Sequence, residues 1–261
     1  MIVSVPISFG SPLTSTSPSM MRVSTAPEAA VIGVLRWLTR SAAAMRVTCR
    51  NIPVTSASGG VLTRIIEGLV LVRNDSRLIG ILTITVIYNV FGWPFTSMIP
   101  VIGQDNLHLG ASGIGILASM DGIGAFCGSI ALMLWAKPAL YARLYIGGVV
   151  LYLVLLIVFA LVPNVPFAGT ALLFTGVCNA AFSVMQATLI YLAAPAEMRS
   201  RLYGVLSVCI GSAPIGFLCL GLMADAVGAT TATAMSGVLG LLVLAATRRW
   251  WRQVGTPLLG G

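Results

Sequence analysis

The sequence predicts an all-α integral membrane protein with six transmembrane helices, and two observations lead to this prediction. Six long apolar stretches follow one another, and each is long enough to cross roughly 30 Å of hydrocarbon as a helix. Lys and Arg occupy only alternate connections between these stretches, as expected when short basic loops stay in the cytoplasm. The predicted spans, numbered one to six, are Ile79–Pro100, Ala111–Ala136, Leu144–Val162, Phe167–Ala194, Leu202–Ala224 and Val227–Ala246.

The composition agrees with a membrane location. Hydrophobic residues make up 57% of the chain and charged residues 8%, and the mean hydropathy is +0.98. The formal net charge of +8 comes largely from arginines beside the spans, where topology and anionic headgroups account for it. We therefore expect the lipid bilayer, and no nucleic acid, as a partner. The alternation of cations predicts a multi-pass membrane protein with both termini in the cytoplasm, and we expect the inner (plasma) membrane as its location.

The chain divides into four parts. Residues 1–60 mix Ser, Thr, Pro and Ala without steady periodicity, which predicts a poorly ordered segment, and no basic region precedes a continuous apolar run as in a signal peptide. Apolar residues then recur at helical spacing, which predicts an amphipathic cytoplasmic lead-in helix over 61–78. The six-helix domain covers 79–247, and 248–261 forms a cytoplasmic tail.

Polar side chains are concentrated on one face of span one and one face of span four. A span that borders an aqueous cavity can display such groups, so these faces predict the walls of a substrate cavity. Span three has almost nothing polar beyond Tyr152, and we expect it to face lipid. The alternative is that the polar groups only join packed helices by hydrogen bonds. The predicted cavity residues are Thr85, Asn89 and Thr96 in span one, and Thr175, Asn179, Ser183 and Gln186 in span four.

Asp121 is the only acidic residue in the middle of a predicted span. Placing a carboxylate there costs about 2.5–3.5 kcal/mol, so we expect it to face protein or water and to couple transport to protons. The alternative is a hydrogen-bonded packing element. Gly124 and Gly128 on the same helix predict a close helix contact. Pro94 and Pro214 predict kinks in spans one and five, since each removes a helical hydrogen bond.

Several motifs lie in the predicted connections and spans. The lead-in carries Glu67-Gly68 and Arg73-Asn74-Asp75, and span two carries Met120-Asp121-Gly122-Ile123-Gly124-Ala125. With the alternating six-span pattern, they resemble the C-terminal half of a major facilitator superfamily transporter, most of all the bacterial drug and siderophore exporters. The remaining matching segments are Asn89 to Pro94, Pro195-Ala196-Glu197-Met198-Arg199-Ser200-Arg201, and Gly221 to Gly228 with Asp225.

The resemblance implies half of a twelve-helix bundle, in which substrate binds between two six-helix halves. It implies proton-coupled efflux of small amphipathic compounds, by a half-length or truncated form that pairs with a second half or with its own copy. The alternative is a non-transporting remnant or membrane scaffold. We expect no enzyme, because His108, the only histidine, lies in a loop and neither a serine elbow nor an HExxH pair occurs. No cofactor or metal site is predicted.

Overall fold

The computed structural model describes Val72, residues 75–251 and Val254, and this part of the chain is helical with no β-strand. It contains six segments long and apolar enough to cross a membrane, which confirms six long apolar helices with their ends shifted by up to six residues from the prediction. The predicted segment 1–60, most of the lead-in helix 61–78 and most of the tail lie outside the described residues. The six spans are Ser76–Asp105, Ala111–Trp135, Pro138–Leu161, Val165–Ala193, Ala196–Val227 and Ala229–Ala246.

Span one is not a continuous α-helix. An α-helix over Ser76–Ile87 passes into a π-helical turn over Tyr88–Gly92, a 3₁₀ turn over Trp93–Ser97 and a second α-helix over Met98–Asp105. In the π-helical turn, the Trp93 N–H donates to the Tyr88 carbonyl five residues back. Pro94 has no N–H to complete an α-helical bond one residue later. The predicted kink at Pro94 is therefore confirmed.

Span five is interrupted as well. Its α-helices cover Arg199–Ile210 and Ala213–Val227, and Gly211 and Ser212 form the turn between them. Pro214 lies in the first turn of the second helix, where its missing N–H costs little. Span five is therefore broken at Gly211 and Ser212, just before Pro214, rather than kinked by a lost hydrogen bond within a continuous helix.

The remaining spans are more regular. Spans two, four and six are single α-helices over Ala111–Trp135, Val165–Ala193 and Ala229–Ala246. Short 3₁₀ turns at Pro138–Leu140 and Ala196–Met198 precede the α-helices of spans three and five, and that of span three covers Tyr141–Leu161. Gly228, with φ of 87°, makes the abrupt turn between spans five and six, a conformation that favours glycine.

Span one lies at the centre of the bundle and contacts all five other spans. The others surround it in the order two, four, three, six and five, each packed against the next. No extensive contact joins spans five and two in the described chain, and on that side span five meets the C-terminal part of span four, where the Tyr203 hydroxyl donates to the Ala187 carbonyl over 3.1 Å. The central position buries 78% of the most apolar stretch of span one.

Spans two and four form the most extensive helix contact, and glycines create it. A Cβ built at Gly124 would overlap the Leu173 carbonyl, and one at Gly176 would overlap the Asp121 carbonyl. At Gly128 a Cβ would lie 2.9 Å from the Cα of Val177. The close contact predicted from Gly124 and Gly128 is confirmed, since only glycine lets the two backbones approach so near.

Span three differs from the expectation that it faces lipid. One side of it, including Tyr145, Tyr152 and Phe159, is fully buried against spans one and four. The opposite side, including Leu151 and Leu161, is exposed. Only one side of span three is therefore available to face lipid, because aromatic residues on its other side fill the interior of the bundle.

Candidate functional site at the centre of the bundle

The hydroxyl of Thr85 is the centre of a buried hydrogen-bond network. Gln186 Nε2 donates to Thr85 Oγ1 over 2.7 Å, and the Tyr145 hydroxyl lies 3.1 Å from the same atom. Thr85 and Tyr145 both donate to the Ile81 carbonyl, over 2.9 Å each. Thr85 and Tyr145 are fully buried, and Gln186 is 6% exposed. The network joins spans one, three and four, and each of its buried polar side chains has a hydrogen-bond partner.

A second polar contact lies one helical turn further along span one. The Tyr88 hydroxyl donates to Asn179 Oδ1 over 3.0 Å, and Ser183 Oγ lies 3.3 Å from the same oxygen. Asn89 is buried and its side chain donates to the Thr85 carbonyl over 2.9 Å. Asn179 is half-buried and Ser183 is exposed, so this contact reaches the surface of the described bundle.

Aromatic rings surround the two polar contacts. Tyr88 stacks on Phe182 with ring centroids 3.9 Å apart and meets Tyr152 at 4.8 Å. Phe182 also stacks on Tyr145 at 5.6 Å. The rings shield the buried network around Thr85 from water, which strengthens its hydrogen bonds.

The interrupted part of span one is covered by spans five and six. Ser236 Oγ, in span six, donates to the Phe91 carbonyl over 2.9 Å and is buried. A Cβ built at Gly216, in span five, would overlap the Val90 carbonyl and lie 2.6 Å from Cγ of Pro94. Irregular backbone at membrane depth is tolerated where neighbouring helices cover it and supply donors, and both conditions are met here.

A small cavity adjoins this contact between spans one, five and six. Its volume is about 20 Å³, whereas one water needs roughly 10–15 Å³. The space accommodates a water molecule and is far too small for an amphipathic compound. It is lined by Val90, Phe91, Gly216, Cys219, Leu220, Met223, Ser236 and Leu239.

Asp121 lies on span two at the edge of this centre. Its side chain is half-buried, and its backbone carbonyl lies against Gly176 of span four. Among the described residues, the Lys and Arg side chains all lie in connections or at the ends of spans, so none shares its depth in the bundle.

The structure places the predicted cavity residues in two groups. Thr85, Asn89, Thr175 and Gln186 are buried among helices, and Thr175 donates to the Ala171 carbonyl of its own helix. Thr96, Asn179 and Ser183 are partly or fully accessible, and Thr96 donates to the Trp93 carbonyl. Contact of either group with a substrate stays a prediction.

Three contributors were missed from the sequence: Tyr88, Tyr145 and Ser236. The polar faces were identified from Thr, Asn, Ser and Gln, although a tyrosine hydroxyl also needs a partner when buried. Tyr145 and Tyr152 are seven residues apart and share a helix face, a spacing that would have indicated a packed side of span three. Ser236 is an isolated serine, and no pattern in the sequence distinguishes it.

No protein family, curated protein or solved structure matched this chain when it was compared with them. The resemblance to major facilitator transporters therefore stays a prediction from the motifs of the sequence. The function is therefore inferred from the geometry of the bundle.

Proposed function

We propose that this chain is a six-helix half of a major facilitator type transporter that exports small amphipathic compounds in exchange for protons. The observation that carries the proposal is the interrupted central span. Transporters of many kinds form their substrate sites near the bilayer midplane from discontinuous helices. Here the break over Tyr88–Ser97 lies at the centre of the bundle, beside polar groups of span four.

The function requires a second half. The described bundle has no extensive contact between spans two and five, and Asn179, Ser183 and Asp121 are accessible or half-buried. A second six-helix unit, either another chain or a second copy, would enclose a cavity on that side. Asn179, Ser183 and Thr96 would contact the substrate, and the buried groups around Thr85 would hold spans one, three and four in register.

Asp121 is the proposed proton-coupling residue. The Asp121→Asn variant keeps the shape and hydrogen-bonding capacity but does not titrate, so proton-driven export should fall sharply while membrane insertion stays normal. The measurement is export of a fluorescent amphipathic compound from cells that lack their own exporters, with and without an uncoupler. Ser129→Ala on the same helix is the control, since its exposed hydroxyl bonds only the Ala125 carbonyl.

The outcomes separate the alternatives. Export by Asp121→Asn with unaltered pH dependence would make Asp121 a packing residue. A well-inserted native chain that exports nothing, with or without a coexpressed second half, would favour a membrane scaffold. The scaffold has one observation in its favour, because Thr85, Asn89, Thr175 and Gln186 are buried and bonded to protein.

The proposed location is the inner (plasma) membrane, with both ends of the chain in the cytoplasm. The described Lys and Arg lie at one end of the bundle, which short basic loops keep on the cytoplasmic side. Reporter fusions after Asn106 and after Ser200 should report opposite sides of the membrane. The same location for both reporters would refute the topology.

A further inference from the structure

The chain folds back on itself after span six. The helical turn Arg248–Trp251 and the side chain of Val254, together called the C-terminal segment here, pack against the start of span one. Val254 is 4% exposed, and Trp251 Nε1 donates to the Leu244 carbonyl over 2.9 Å. A Cβ built at Gly80 would lie 2.5 Å from Val254 Cγ2 and 2.8 Å from the Trp250 carbonyl oxygen. Only glycine at position 80 therefore leaves room for the segment.

The end of the bundle where the segment docks is strongly basic. Alternate connections lie at the same end, because successive spans cross in opposite directions. Arg248 and Arg249 are exposed there, beside the half-buried Trp250 and Trp251. Arg and Trp are typical of the membrane–water interface. The described cations at this end are Arg77, Lys137, Arg143, Arg199, Arg201, Arg248 and Arg249, and the described acids are Asp75 and Glu197.

We propose that the C-terminal segment binds acidic phospholipid headgroups, and that this binding holds it against Gly80. Anionic lipids of the cytoplasmic leaflet attract basic residues next to a span, and the attraction falls off within a Debye length. Docking places Arg248 and Arg249 at headgroup level while Val254 is covered by span one. The docked segment ties the end of span six to the start of span one, so the lipid composition controls how firmly the two spans are joined. This proposal is independent of transport.

The test measures whether Val254 is covered. The full chain, with its five native cysteines replaced, receives Val254→Cys and is placed in nanodiscs of phosphatidylcholine alone or mixed with phosphatidylglycerol. Labelling with an uncharged maleimide should be about tenfold slower with phosphatidylglycerol. Ala196→Cys, exposed at the same end of the bundle, should label equally fast in both lipids.

Two further variants separate docking from lipid binding. Adding Gly80→Leu should make Val254→Cys react as fast as Ala196→Cys in both lipids, whereas Gly147→Leu, which has open space around it, should change nothing. Adding Arg248→Gln with Arg249→Gln should remove most of the lipid dependence. Equal labelling of Val254→Cys in the two lipids, or slow labelling that survives Gly80→Leu, would overturn the proposal.

Discussion

Spans one and two both carry polar residues, yet they differ in burial and in how they pack. Span one is central and interrupted, and 78% of its most apolar stretch is buried. Span two is a regular helix at the edge, with 17% buried. In span one Thr85 bonds to side chains of two other helices, whereas Ser119 and Ser129 in span two bond only to carbonyls of their own helix.

The difference shows how this chain uses its polar groups. A hydroxyl that faces outward donates to a carbonyl of its own helix. It can therefore face lipid without leaving a group on another helix unpaired. A buried hydroxyl or amide bonds across helices and fixes their relative position. Span two packs against its neighbour through glycines. Span one is held to its neighbours by side-chain hydrogen bonds as well as by packing. The glycine contact and the hydrogen-bonded contacts lead to different predictions.

The largest effect is expected at the glycine contact of span two. Gly124→Leu would force a side chain into the Leu173 carbonyl, and because backbone cannot move aside, the variant should lose about 3 kcal/mol or more in free energy of unfolding. Unfolding in mixed micelles measures the loss. Gly122→Leu is the control, since open space surrounds that position. Equal losses in the two variants would contradict a glycine-specific contact.

A smaller effect is expected where span six covers the break in span one. Ser236→Ala removes the hydroxyl that donates to the Phe91 carbonyl, and the loss of this buried hydrogen bond should cost about 0.5–1.5 kcal/mol in free energy of unfolding. The same titration checks the value. Ser207→Ala should be nearly neutral, because the exposed Ser207 hydroxyl bonds only to Tyr203 of its own helix. A neutral Ser236→Ala would mean that the break needs no donor from span six.

The smallest effect is expected in the network around Thr85. Gln186→Leu removes the bond to Thr85 Oγ1, which keeps its partners Ile81 and Tyr145, so the loss should be about 0.6 kcal/mol. A double-mutant cycle with Thr85→Val isolates the coupling. Ser183→Ala, on the exposed side of the same helix, should change stability by less. If the cycle gives no coupling, the network does not join spans one and four.

The sequence predicted the elements of the fold better than their environment. Apolar length and the positions of Lys and Arg define the spans, and Pro94 and Pro214 mark both interruptions, because these features act locally. Thr85 and Gln186 were identified from the polar faces of spans one and four, and they lie 2.7 Å apart between those spans, while their contact with a substrate stays a prediction. Whether such a face meets water or another helix depends on neighbours distant in sequence, such as Tyr145. The contact of Ser236 with Phe91 could not be predicted, since it depends on how span six packs.

The contact between Ser236 and Phe91 has a consequence for biosynthesis. The two residues are 145 positions apart. At roughly 5–20 residues per second, a ribosome needs about 7–30 s to make the intervening chain. Throughout that interval the break in span one has emerged without the serine that donates to it, and Gly216 has also yet to be made for most of the time. A nascent chain that enters a membrane would therefore need the insertion machinery or water to solvate this backbone until span six arrives.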